Sequence, residues 1–148
     1  MKPMKRLWIP AVCLTFLACA QAQSNGVLGL WKNDAGSTIQ IARCKSSVCV
    51  WIVTVGKDLP SRVDSQNPNP ALRTRSLCGL QIGSNFRLTD PNHAEDGQLY
   101  WPRTGKTHSA SLTRERDKLT LHVYVTLKIF GKTETWTRAP GAVPVCRS

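Results

Sequence analysis

The sequence predicts an all-β fold, an antiparallel up-and-down barrel of about eight strands. Residues 118–130 place Leu119, Leu121, Val123, Val125, Leu127 and Ile129 at every second position, a period that lines one face of a strand and no face of a helix. Segments of similar composition recur at regular spacing between Gly, Asp, Asn and Pro, and no long stretch carries the 3.6-residue period. Closing such a meander into a barrel removes the edges that an open sheet would expose.

Gly29-Leu30-Trp31 opens the first strand. Residues 38–44, 48–55, 77–82, 99–101 and 107–113 follow as β-rich segments, and 118–130 and 132–138 close the series. One interval breaks the rhythm. Residues 56–76 contain Pro60, Pro68 and Pro70 and lack a strand signal, and structureless stretches of this length are usually functional or disordered. Asn69 suits an N-cap and Pro70 the first helical position, so a single helical turn is expected there. Such a turn would make the segment an ordered lid over a barrel mouth; the plainer reading is a solvated connector.

Residues 1–22 combine Lys2, Lys5 and Arg6 with an apolar run from Leu7 to Ala20 and end in Ala20-Gln21-Ala22. This is the pattern of a secretory signal peptide, with the mature chain starting at Gln23 and forming one β-barrel domain over residues 23–148. Cys19 follows a small residue and offers lipidation as the competing reading, although Phe16 stands where a lipobox usually has Leu. No later apolar run is long enough for a helical span, so no transmembrane helix is expected in the mature chain.

The 148 residues are 41% hydrophobic and 20% charged, which is ordinary for one globular domain and excludes a separate cofactor domain. The signal carries three of the 20 Lys and Arg and none of the 9 acidic residues, leaving a mature net charge of +8. Four of the six Cys remain in the mature chain: Cys44, Cys49, Cys78 and Cys146. In a small exported protein they read as disulfides, and four Cys allow three pairings. Cys44 and Cys49 look like facing strand ends across a tight turn, close enough for a bridge, which leaves Cys78 with Cys146. A four-Cys zinc site competes poorly in an oxidising compartment.

In an eight-stranded barrel the first and last strands are neighbours. Gly29 and Trp31 on the first and Trp136 and Arg138 on the last therefore read as a structural device, with Trp31 plugging one end and the Arg138 guanidinium on its indole face. The pairing is similar to the Gly-x-Trp and terminal Arg signature of lipocalins. A wider set of motifs carries a closer resemblance: Gly-x-Trp, Cys-x4-Cys, the run Asn67-Pro-Asn-Pro-Ala-Leu-Arg-Thr-Arg75 followed by Leu77 and Gly79, Leu99-Tyr100 with Pro102, Gly105-Lys106-Thr107, and Thr135-Trp136-Thr137-Arg138. In this order they resemble the bacterial family known as domain of unknown function 2147. The resemblance covers essentially all of the mature chain and implies an exported lipocalin-like barrel. There are departures: Val50-Trp51 stands where the family usually has Gly and a basic residue, Trp101 and Arg103-Thr104 where acidic residues are common, and His108 where Tyr is common.

Catalytic chemistry finds little footing. Thr104-Gly105-Lys106-Thr107 ends like a phosphate loop, but the required first glycine position holds Tyr100 and no helix follows. His93, in a loop-like setting, and His108 and His122, on strands, lack metal-ligand spacing. There is no Gly-x-Ser-x-Gly elbow, and the Cys are wanted for bridges. No catalysis, cofactor or metal is expected. Arg73 and Arg75 are the stronger candidates. Held over a barrel mouth they could grip a carboxylate or phosphate bidentately, with Asn67, Tyr100, Trp101, Lys106 and His108 around the same ligand. Against this stands a loop-fixing role in which one Arg pairs with Asp58 or Asp64.

The resulting expectation is an exported barrel that takes a small amphipathic or anionic molecule in the bacterial envelope, periplasmic or secreted. The alternative is a barrel filled by its own side chains, an interaction module whose basic surface meets acidic envelope polymers or a protein partner. Nucleic acid is set aside, because the Lys, Arg and Trp residues form no known motif and the chain is exported.

Overall fold

The computed structural model describes residues 26–141 and Cys146. The expected signal peptide, Cys19 and the expected Gln23 start lie outside the described residues. Eight strands form a closed antiparallel barrel in chain order: β1 (Gly29–Lys32), β2 (Thr38–Cys44), β3 (Ser47–Thr54), β4 (Gln81–Asp90), β5 (His93–Trp101), β6 (Lys106–Glu115), β7 (Lys118–Tyr124) and β8 (Gly131–Arg138). The ring closes where Trp31 of β1 pairs with Arg138 of β8.

The two ends differ, and the connections explain why. At one end the strands are joined by tight turns at Lys45-Ser46, Pro91-Asn92 and Arg116-Asp117. Here fully buried Trp31 donates from Nε1 to the Val27 carbonyl at 2.8 Å, and the Arg138 guanidinium carbon stands 3.8 Å from the indole centroid. Arg138 also donates from Nη1 to Leu28 and from Nη2 to Gly26, so a desolvated cation is held by carbonyls on one side and a π face on the other. Gly29, at φ 123°, holds a backbone that L side chains rarely adopt. The opposite end carries the longer connections, residues 33–37, 55–80, 102–105 and 125–130, and it is the open end.

Between the ends the barrel is packed. Ile39, Ile41, Val50, Phe86, Leu99, Leu112, Leu119, Leu121 and Trp136 are buried in one cluster. Phe86 reaches this core because Asn85 and Asp96, on adjacent strands, both adopt left-handed conformations (φ 60° and 59°) and interrupt the plain alternation of β4 and β5. Its ring lies over Gly97, where any Cβ would collide with it.

Several strand limits differ from expectation. The segment expected as 77–82 is instead the run-in to β4, which begins at Gln81 and continues to Asp90. The strand expected at 99–101 starts at His93, so His93 is a strand residue, its Nδ1 2.7 Å from Asp90 Oδ2. The segment expected as 118–130 stops at Tyr124, since Tyr124 pairs with Gly131 in the last rung and residues 125–130 form the connection. Consequently Val125, Leu127 and Ile129 do not join the core face but are exposed. The Asn69-capped turn forms over Pro70–Leu72. Cys44 bridges Cys49 with Cα atoms 5.8 Å apart, and Cys78 bridges Cys146 at the same separation. The residue facing Cys44 in the register is Ser47, so the first bridge runs diagonally across the hairpin.

Candidate functional site at the open end

Strand alternation determines which side chains face the open-end cavity. With Leu99 buried, Trp101 shares its face; with Ala110 and Leu112 buried, His108 and Lys106 share theirs. The same rule extends Leu119 and Leu121 to Val123, and Trp136 to Glu134 and Lys132. These residues, with Tyr124 and with Val125 and Phe130 from the β7–β8 connection, surround a cavity of about 560 Å³. A smaller space of about 90 Å³ lies on the other side of Trp101 and Glu134, against Ile39, Ile52, Leu59, Leu99 and Trp136. Trp136 Nε1 donates to Glu134 Oε2 at 3.0 Å, which fixes that carboxylate in the partition.

The walls are mainly apolar and the rim is basic. Lys106 and Lys132 are exposed, and among the described residues neither has a carboxylate within ion-pair distance. His108 is half-buried beneath them. Among the described residues no cluster of His, Cys, Asp or Glu could hold a metal ion. The arrangement offers an apolar recess under two exposed ammonium groups.

The long β3–β4 connection does something else. Fully buried Asp64 is its hub. Tyr100 donates its hydroxyl to Oδ1 at 2.6 Å, Asn67 Nδ2 donates to Oδ2 at 2.7 Å, and Arg75 approaches Oδ2 through Nε at 2.9 Å and Nη2 at 2.8 Å. Burial pushes the Asp64 pKa up, but the hydrogen bonds from Tyr100, Asn67 and Arg75, aided by the Arg75 charge, outweigh it and hold the carboxyl below its ordinary range. The Tyr100 hydroxyl is pushed the other way by burial and by its bond to Asp64. Arg73 donates from Nε to the Asn67 carbonyl at 2.8 Å, and Asn67 Oδ1 accepts from the Asn69 N–H in an Asx turn.

Of the candidates read from sequence, then, Trp101, Lys106 and His108 come together at the cavity, whereas Asn67, Arg73, Arg75 and Tyr100 assemble around Asp64 and none of Asn67, Arg73 and Arg75 lines it. This geometry matches the loop-fixing role for Arg75, with Asp64 as its partner. The two guanidinium groups expected over the mouth are both engaged within the connection, Arg75 with Asp64 and Arg73 with the Asn67 carbonyl. Lys132, Val123, Tyr124, Phe130 and Glu134 were missed. The alternation that put Leu119, Leu121 and Val123 on one face, once that face is known to point inward and is carried across to β8, leads to Val123, Lys132 and Glu134; Phe130 needed the end of β7 to be known.

Comparison with known proteins places this geometry in a family. The model of the family described as "Uncharacterized protein conserved in bacteria (DUF2147)" matches residues 29–138. The chain belongs to the DUF2147 family. The matched region runs from the first residue of β1 to the last of β8, so the family unit is the whole barrel. Among solved structures, protein HP1028 from the human pathogen Helicobacter pylori, described as belonging to the lipocalin family, is similar at 22% identity over 76% of this chain and 82% of that one, with a TM-score of 0.69. At that identity the likeness speaks for the fold, a lipocalin-like barrel. Curated proteins give no match.

Proposed function

We propose that this DUF2147 protein binds a small amphipathic anion at the open end of its barrel, the apolar part among Trp101, Val123, Tyr124 and Phe130 and the head group between Lys106 and Lys132. The observation that carries this reading is the 560 Å³ recess beneath two exposed lysines that have no ion-pair partner among the described residues; its size falls within the roughly 300–1,000 Å³ typical of small-molecule sites. The packed core around Phe86 limits the ligand to the upper part of the barrel. The reading includes no chemical step. An exported setting is supported by two disulfides, a bacterial family and the signal pattern of residues 1–22, and within it we favour the periplasm or the medium.

Dodecanoate is a suitable probe, measured by titration calorimetry. Wild-type protein is expected to bind it saturably and to prefer it to dodecanol. The double variant Lys106→Ala, Lys132→Ala should bind about tenfold more weakly at low salt, as expected from losing two partly screened charge contacts. Its melting temperature should stay within about 2 °C of wild type, because both side chains are exposed. Absence of saturable binding, or equal affinity in the variant, would favour the filled-barrel interaction module instead.

A further inference from the structure

Five large apolar side chains are exposed among the described residues, and four of them fall within six positions of the β7–β8 connection: Val125 at 79%, Leu127 at 54%, Ile129 at 79% and Phe130 at 71%. The connection is a built structure. Phe130 N–H donates to the Leu127 carbonyl at 3.0 Å and the Lys128 carbonyl contacts His122 Nε2. Lys128 Nζ reaches Glu95 at 2.8 Å and lies 5.9 Å from the Tyr124 ring centroid. These contacts fold the backbone and the lysine back onto the barrel, which leaves the apolar side chains facing outward. Closure of the barrel pairs β7 and β8 on both sides, so strand addition is no outlet for this surface.

We infer that this connection is a membrane-docking element that seats the open end of the barrel on an anionic lipid bilayer. Two features select a bilayer over a protein partner. The four exposed apolar residues lie on one six-residue connection between strands already paired on both sides, a segment that a fluid surface can receive anywhere, whereas a protein would have to provide a fitted pocket. The charge around the connection is also of the right sign: Arg103, Lys106 and Lys132 stand at the same end and have no carboxylate within ion-pair distance among the described residues. Each such cation near an anionic surface strengthens binding about fivefold. Val125 and Phe130 belong both to the connection and to the cavity wall, so the recess opens at the docked face. This docking stands whether or not the recess takes a ligand.

The experiment is co-sedimentation with vesicles of equimolar phosphatidylglycerol and phosphatidylcholine, compared with phosphatidylcholine alone. Wild-type protein is expected to partition onto the anionic vesicles, and less so as salt is raised. The variant Leu127→Ser, Ile129→Ser changes two exposed residues that do not line the cavity. It should partition at least tenfold more weakly while melting and binding dodecanoate as wild type does. No partitioning by wild type, or equal partitioning by the variant, overturns the inference, as does a self-association in sedimentation velocity that the variant abolishes without any vesicle binding. Loss of dodecanoate binding with vesicle binding intact would remove the ligand reading alone.

Discussion

Replacing Asp64 with Ala is expected to destabilise the barrel by about 3 kcal/mol, near the low end of the ~3–5 kcal/mol lost when a buried ionic partner is removed. The Tyr100 hydroxyl and the Asn67 amide would each lose an acceptor inside the protein, while Arg75, about a third exposed, can rehydrate in part. For a domain of this size such a loss lowers the melting temperature by roughly 10 °C. Asp64→Asn keeps the shape but turns an amide toward the donors of Asn67 and Arg75, so it should cost a similar amount. Acid unfolding tests the same group independently. The unfolded carboxyl titrates near 3.9, and the folded one lies lower. Falling pH therefore protonates the unfolded chain first, and the stability that Asp64 contributes in full above about pH 4 is lost as pH drops through the folded value. Asp64→Asn should flatten that part of the acid profile. A variant with Tyr100→Phe added should lose less than the sum of the two single losses, since both act on one network. Wild-type stability in Asp64→Ala would mean that the hub holds nothing.

The sequence made the closed end readable and the open end only partly so, for a physical reason. At the closed end one rule suffices, because β1 and β8 must be neighbours in a ring and Trp31 and Arg138 therefore share a rung. β-rich composition likewise identified β2, and period two put Leu119 and Leu121 on one face, which the barrel buries. It failed where the backbone departs from a plain strand. Gly83, Asn85, Asp96 and Gly97 are poor strand formers on any propensity scale, yet they lie within the long β4–β5 hairpin, because two left-handed residues and an unoccupied Cβ position are what let Phe86 into the core. It misled where alternation outran the strand: residues 125–130 continue the pattern of β7 but leave the barrel after Tyr124, and their apolar side chains face outward. The Arg residues of the Pro-rich loop were conspicuous as charges, but the partner that holds Arg75 is Asp64, whose burial no local pattern announces.

The Phe86–Gly97 contact gives the second large effect. An alanine at 97 would place its Cβ 2.3 Å from atoms of the Phe86 ring, and the ring, fully buried among side chains from neighbouring strands, has little room to move aside. Overpacking of this kind costs about 3 kcal/mol where neither side can yield, so Gly97→Ala should unfold at markedly lower urea than wild type. Phe86→Leu alone should also be destabilised, because it leaves space in a packed core. Combined, the two changes relieve each other, with the smaller side chain making room for the added methyl. The double variant should therefore be more stable than Gly97→Ala alone, with a coupling of about 1–3 kcal/mol in a double-mutant cycle followed by Trp fluorescence. Strict additivity would show that Gly97 is needed for its backbone and not for the ring above it. Because Phe86 lies in the packed interior and does not line the open-end cavity, the double variant should keep wild-type affinity for dodecanoate, and this separates the closure of the lower barrel from the recess above it.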